Sequence, residues 1–165
     1  MNHGEVAEAA RNWLHVPFVR VAMKEIGLPS GRRIDVLAYE PRGNVFRLVE
    51  CKASLADLKN APRQLEGYRC WADLLYVAVP EELESAAKEL LPKKVGLLVI
   101  RRHANAYAAD HGYLSTRSAR NPRRVPMADR ERGAMATRAL TWLLAHFEAT
   151  RVCKACGHEV PHGPA

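Results

Sequence analysis

The chain has 165 residues, 48% hydrophobic and 26% charged, a balance that suits one folded domain with a real core and excludes wholesale disorder. No apolar run is long enough to span a bilayer and residues 1–15 lack a signal-peptide pattern, so a cytoplasmic protein with no membrane partner is expected. The net charge of +7 and a pI near 9.5 favour a polyanionic partner.

Residues 4–14 read as a helix with Val6, Ala9 or Ala10, Trp13 and Leu14 on one side. Glu5 and Glu8 near its start suit the helix dipole. Residues 16–26 alternate as a strand does, and Gly27-Leu28-Pro29-Ser30-Gly31 is a turn. Two apolar-rich strands come next, residues 32–39 and 45–52, joined by a Pro41-Arg42-Gly43-Asn44 turn. Three strands with short turns make an antiparallel meander. Ser54-Leu55-Ala56-Asp57 matches a helix start, and Pro62 places a break or a new helical start eight residues after Ser54. A helix over residues 63–71 would stack Gln64 and Tyr68 on one face, where the plain reading makes both boundary residues.

Residues 74–79 are a continuous apolar run, as in a buried central strand, and Pro80 opens a helix over 81–91 striped by Leu83, Ala87, Leu90 and Leu91. Residues 95–100 form a second buried strand, with an edge partner at 104–108. Strand, helix and strand in succession imply a parallel pair and a mixed sheet flanked by helices. Residues 117–132 then carry six arginines against Asp129 and Glu131, with Pro122 and Pro126 between them, and read as an irregular mobile segment. A solvated loop is the plain alternative. Arginine's forked donors suit phosphate, however, so Arg123 and Arg124 are read as nucleic-acid backbone contacts. Residues 134–147 form an amphipathic helix through Ala136, Leu140, Leu143, Leu144 and Phe147. Cys51 and Cys70 stand singly and read as buried thiols. Cys153, Cys156, His158 and His162 have the ingredients of half a zinc ribbon for Zn²⁺, against a plain reading as a disordered tail.

Three charges interrupt the apolar background of the central hairpin: Asp35 on its first strand, Glu50 and Lys52 at the end of its second. Side chains two apart on a strand project the same way, about 6–7 Å apart, so Glu50 and Lys52 share a face. With Asp35 on that face, two carboxylates could hold a hard cation such as Mg²⁺ or Mn²⁺. The lysine would then position a water or steady a phosphate, giving metal-assisted phosphodiester hydrolysis. An exposed cross-strand ion pair is the plain alternative. Asp35 in a strand interior goes against β propensity, which favours the functional reading.

At these residues the sequence resembles the PD-(D/E)xK nuclease superfamily, whose signature is an Asp on one strand and Glu-x-Lys on the next. Glu50-Cys51-Lys52 looks like the version in archaeal-type Holliday junction resolvases. Gly31-Arg32-Arg33-Ile34-Asp35-Val36, with Tyr68-Arg69-Cys70-Trp71-Ala72-Asp73 and Tyr76-Val77-Ala78-Val79-Pro80, is similar to MmcB-type DNA-repair proteins over roughly residues 20–110. Gly4-Glu5-Val6-Ala7-Glu8 looks like the opening helix of resolvase-type nucleases, where the glutamate matching Glu8 completes the metal site. Gln64 and Tyr68 are similar to the Gln-x3-Tyr motif of RecB-like nucleases, which orients the active site and contacts DNA. The resemblance implies an α/β, restriction-endonuclease-like fold with an αβββαβ core over residues 1–110. An Arg-rich segment and C-terminal helix (111–150) and a Cys/His tail (151–165) complete the expected organisation. It further implies a Mg²⁺-dependent deoxyribonuclease of repair or recombination, nucleoid-associated, with DNA as partner and homodimerisation left open. A nuclease-fold DNA-binding module without turnover and a zinc-dependent DNA-binding protein are the rival expectations.

Overall fold

The computed structural model describes residues 1–103 and 113–149. Asn2 accepts the Glu5 N–H at 2.9 Å on its side chain while Glu5 accepts the Asn2 N–H at 2.8 Å, a reciprocal cap that starts α1 (His3–Leu14). The chain then makes β1 (Val21–Gly27), β2 (Arg33–Glu40) and β3 (Val45–Cys51). The expected strand over 16–26 starts late. Pro17 and the positive φ of Phe18 (60°) make residues 16–20 a turn closed by a Val16–Arg20 bridge.

The β2–β3 connection turns through Pro41 to Asn44, whose N–H bonds back to the Pro41 carbonyl at 3.1 Å. Tyr39 and Phe46 stand opposite each other across the hairpin and stack at 4.6 Å. Ser54 caps α2 (Leu55–Glu66), which returns the chain to β4 (Leu74–Pro80). α2 runs through Pro62 without the expected break, because Leu58, Ala61 and Leu65 are buried on either side of it and packing overrides the proline's local cost. It also ends at Glu66 and not near residue 71 as expected, so Tyr68 lies beyond the helix, although Gln64 and Tyr68 still come to one hollow. A 3₁₀ turn at Glu81–Leu83 leads into α3 (Glu84–Leu90), then come β5 (Gly96–His103), β6 (Tyr113–Arg120) and α4 (Asp129–Ala149).

The six strands form one sheet in chain order, antiparallel except for the parallel pairs β3–β4 and β4–β5. This is the expected αβββαβ core extended by further elements. α1 covers one face through Val6, Ala9, Ala10 and Leu14. α2, α3 and α4 cover the other, where Leu58, Leu65, Ala87, Met135 and Ala139 meet Phe46, Leu48, Val77 and Leu97.

β6 corrects the reading of 117–132 as irregular throughout, and it ties residues past 110 into the core sheet. Arg117 is ion-paired with Glu84, and Arg120 donates to the Val95 carbonyl at 2.8 Å. The edge expected at 104–108 lies outside the described residues. Cys51 is buried as expected, but Cys70 is exposed. On α4, Leu140 and Leu144 face outward at 58% and 56% exposure, while Met135 and Ala139 face the sheet.

The rotation of α4 has a cause in Asp73, whose side chain is wholly buried before β4. It accepts the Phe46 N–H at 2.9 Å, the Met127 N–H at 3.2 Å and both Arg132 nitrogens at 2.8 and 3.1 Å. Burial alone would push this carboxyl up. The bonds from Arg132, Phe46 and Met127 outweigh it and hold the carboxyl below the usual aspartate range. A fork-to-fork pair of this kind fixes both position and angle of the arginine, and with it the first turn of α4.

Asp73→Asn should cost about 3 kcal/mol in chemical denaturation, because Arg132 is left without its partner. The wild-type carboxyl is depressed in the fold, so its contribution is complete above the ordinary value of 3.8 and is lost as pH falls through the folded value. Wild type and variant should converge in stability in that acidic window.

Candidate active site

Register sets the site. Val36 pairs with Val49 at the end of the β2–β3 ladder, so the next residues, Asp35 and Glu50, stand opposite each other. Beside Asp35 the alternation of faces along β1 and β2 is broken, although their register is not. Met23 and Ile26 on β1, and Ile34 and Leu37 on β2, are three apart yet face the same core cluster. The break in alternation falls at Glu25, with φ of 56°, which stands across from Asp35 in register. A positive φ on a non-glycine residue is uncommon and is tolerated where surrounding structure imposes it. The Asp35 carboxylate takes the Cys51 N–H at 2.6 Å through Oδ2 and has His3 Nε2 at 3.4 Å from Oδ1.

Glu50 and Lys52 are 5% and 7% exposed, and Lys52 Nζ lies 2.8 Å from Glu50 Oε1. Glu50 Oε2 is buried with no hydrogen-bond partner. Burial first, then the negative Asp35, push the Glu50 carboxyl above its usual range, and Lys52 only partly opposes them. The Tyr68 hydroxyl lies close enough to Glu50 to interact with its carboxyl, and it donates to the Arg33 carbonyl at 3.3 Å. Burial, followed by the charges of Glu50 and Asp35, pushes that phenol up to about 12. Between Glu50 and Lys52, Cys51 is a buried thiol, pushed well up by burial and inert as a nucleophile.

Asp35, Glu50 and Lys52 are therefore brought together at the end of the β2–β3 hairpin. Glu8 is near but engaged elsewhere, bonded to Lys24 at 2.6 Å and Arg11 at 3.1 Å; the Lys24 bond chiefly holds its carboxyl low. It shares with His3, Lys24 and Asp35 a cleft of about 560 Å³ closed on one side by Trp142 of α4. Among the described residues no three of His, Cys, Asp and Glu gather closely enough to hold an ion by themselves. Two carboxylates meet the habit of Mg²⁺, which takes one or two and completes its shell with water and substrate phosphate.

Gln64 and Tyr68 line a second hollow with Arg32, Arg33 and Arg63. Arg123 and Arg124 are exposed, and the Arg123 N–H bonds to Lys94 O at 2.9 Å, just before β5. That places Arg123 over the N-terminal ends of β4 and β5, whereas Glu50 and Lys52 sit at the C-terminal end of β3. Cys153, Cys156, His158 and His162 lie outside the described residues. His3 is the neighbour that sequence reasoning missed. The Asn2-x-x-Glu5 capping pattern could have placed it on the first turn of α1, though nothing local pointed it at Asp35.

The family model of MmcB-like DNA repair proteins matches residues 6–157. No curated protein matches the chain. A solved structure, the SPO1766 protein of unknown function from Silicibacter pomeroyi, is 25% identical with a TM-score of 0.70, covering 98% of each chain.

The electrostatics of the centre can be read by carbon-detected NMR of Glu50. Its carboxyl should titrate above the ordinary 4.5, fall toward it in Asp35→Asn and rise further in Lys52→Met. A raised carboxyl contributes stability below 4.5 that is lost as pH rises through the folded value, so the site should be less costly to the fold in acid.

Proposed function

The chain belongs to the MmcB-like family of DNA repair proteins, and from that membership and its paired carboxylates we propose that it is a divalent-metal-dependent DNA nuclease. The reading is carried by Asp35 opposite Glu50, with Lys52 on one Glu50 oxygen and the other oxygen buried and unpartnered. An orphaned carboxylate oxygen beside a second carboxylate fits the hard oxygen donor set of Mg²⁺ or Mn²⁺. A cation held there would supply positive charge that polarises a phosphodiester and makes water acidic.

The chain's own groups divide the remaining work. Asp35 and Glu50 hold the ion, and Asp35 is itself anchored by the Cys51 N–H. Lys52, once Glu50 is engaged elsewhere, offers its ammonium to an attacking water or a phosphate oxygen. Tyr68 braces the start of β2 through the Arg33 carbonyl. Arg123 and Arg124, at the far end of the strands, are assigned to sequence-independent phosphate contact.

Cleavage should be sought over single-stranded, duplex, flap and four-way-junction DNA with Mg²⁺ or Mn²⁺. Glu50→Gln should abolish both cleavage and metal binding. Lys52→Ala should lower cleavage by roughly 10²–10⁴-fold while metal binding persists, since an ammonium is no ligand to a hard cation. Metal affinity by calorimetry should fall as pH is lowered into the raised range of the Glu50 carboxyl, where proton and cation compete for the same oxygens. DNA binding without cleavage of any substrate would leave the binding module, a reading that the deep burial of Glu50 and Lys52 favours.

A further inference from the structure

We propose that the hollow lined by Arg32, Arg33, Arg63, Gln64 and Tyr68 is a nucleotide-phosphate subsite, seating an oligonucleotide phosphate beside the one at the Asp35–Glu50 centre. The hollow measures about 470 Å³ and is lined by three exposed guanidinium groups. Among the described residues, Arg32 and Arg63 have no carboxylate within ion-pair distance, and Arg33 has only a 3.8 Å contact to an exposed Glu25. Arg47, Arg101, Arg117 and Arg132, by contrast, each have an acid partner. Three neighbouring cations with one long, exposed counter-charge among them repel one another, and a phosphate relieves that repulsion while accepting their forked donors.

The hollow is also built, not merely charged. The Arg32 guanidinium lies over the Tyr68 ring, 6.0 Å from its centroid. It rests against Gly67 so closely that a Cβ there would fall 2.1 Å from its Nη1. Gly67 has φ of −72°, open to any residue, so the contact is what an added methyl group would disturb. Gln64 Oε1 is buried with no donor, and bare phosphate diester could not supply one. A base amine or terminal sugar hydroxyl of the same nucleotide could. Position links the hollow to the centre: Arg33 begins β2 two residues before Asp35, and Tyr68 borders both the hollow and Glu50.

The identity of the neighbouring centre rests on the nuclease reading, but binding here does not, and the test is run without divalent ions. Fluorescence anisotropy would follow labelled hexathymidylate with and without a 5′-phosphate, with inorganic phosphate as competitor. Arg32→Ala/Arg63→Ala should weaken oligonucleotide binding by ten-fold or more and flatten its log–log salt slope by about 1.4, for two lost single-strand phosphate contacts. Arg130→Ala/Arg138→Ala, equal in charge change and on exposed α4 positions, should lose three-fold at most. Gly67→Ala removes no charge and should weaken binding three-fold or more by displacing Arg32. A preference for the 5′-phosphorylated strand assigns the subsite to a terminal monoester, and equal binding assigns it to an internal diester. Unchanged affinity in Gly67→Ala, a double-variant loss no greater than the control's, or inorganic phosphate competing as strongly as unlabelled oligonucleotide would each overturn the subsite. An uncleaving protein that passes keeps the subsite, and an active nuclease that fails lacks it.

Discussion

A one-residue slip of β2 against β3 would turn Asp35 away from Glu50 and send every side chain of the slipped strand to the opposite packed layer. Everything at the centre depends on that register. The short turn closed by the Asn44–Pro41 bond, the Tyr39–Phe46 stack and the apolar demand on both faces hold it together. The hairpin is covered by α1 on one side and by the α2–α4 layer on the other, so a slip has no solvent-facing side on which to hide its cost. Where the ladder ends, the Asp35 side chain takes over the task of a backbone carbonyl by accepting the Cys51 N–H. A carboxylate thus closes the sheet while keeping its second oxygen beside His3.

The Glu50–Lys52 pair is costly to the fold. Two charges removed from water regain only part of their hydration from each other, and apolar residues of similar volume often serve stability as well or better. Here the compensation is incomplete, since one Glu50 oxygen has no partner and Asp35 adds a like charge. A pair kept for stability alone would be better satisfied. The arrangement favours an incoming positive group between the carboxylates, which would relieve both the orphaned oxygen and the repulsion.

The central hairpin and its three charges were legible because strand alternation has a period of two and the connecting turn is short. The parallel β4–β5 unit was legible for a related reason, as continuous apolar runs bracket a helical stripe. Other features were decided by long-range packing. Pro62 sits inside α2 because Leu58, Ala61 and Leu65 bury around it. β6 reads as a charge run because an edge strand is free to carry arginine, which guards it against pairing with other chains. Leu140 and Leu144 suggested an inner face for α4, yet Arg132, held by Asp73, turns Met135 and Ala139 inward instead. The positive φ at Glu25 and the approach of His3 to Asp35 come from backbone geometry that no local pattern encodes.

The Asp73–Arg132 clasp joins residues 59 positions apart, which orders events on the ribosome. At 5–20 residues per second, Arg132 leaves the peptidyl-transferase centre about 3–12 s after Asp73 does. During that interval β3 and β4 can pair, but the carboxylate that ends up wholly buried lacks its cation and stays hydrated. The sheet face destined for α4 is open over the same interval. Closure of this sheet face is thus deferred until Arg132 has been made, and a chain stalled before residue 132 would present an apolar face to whatever chaperone or neighbouring nascent chain it meets.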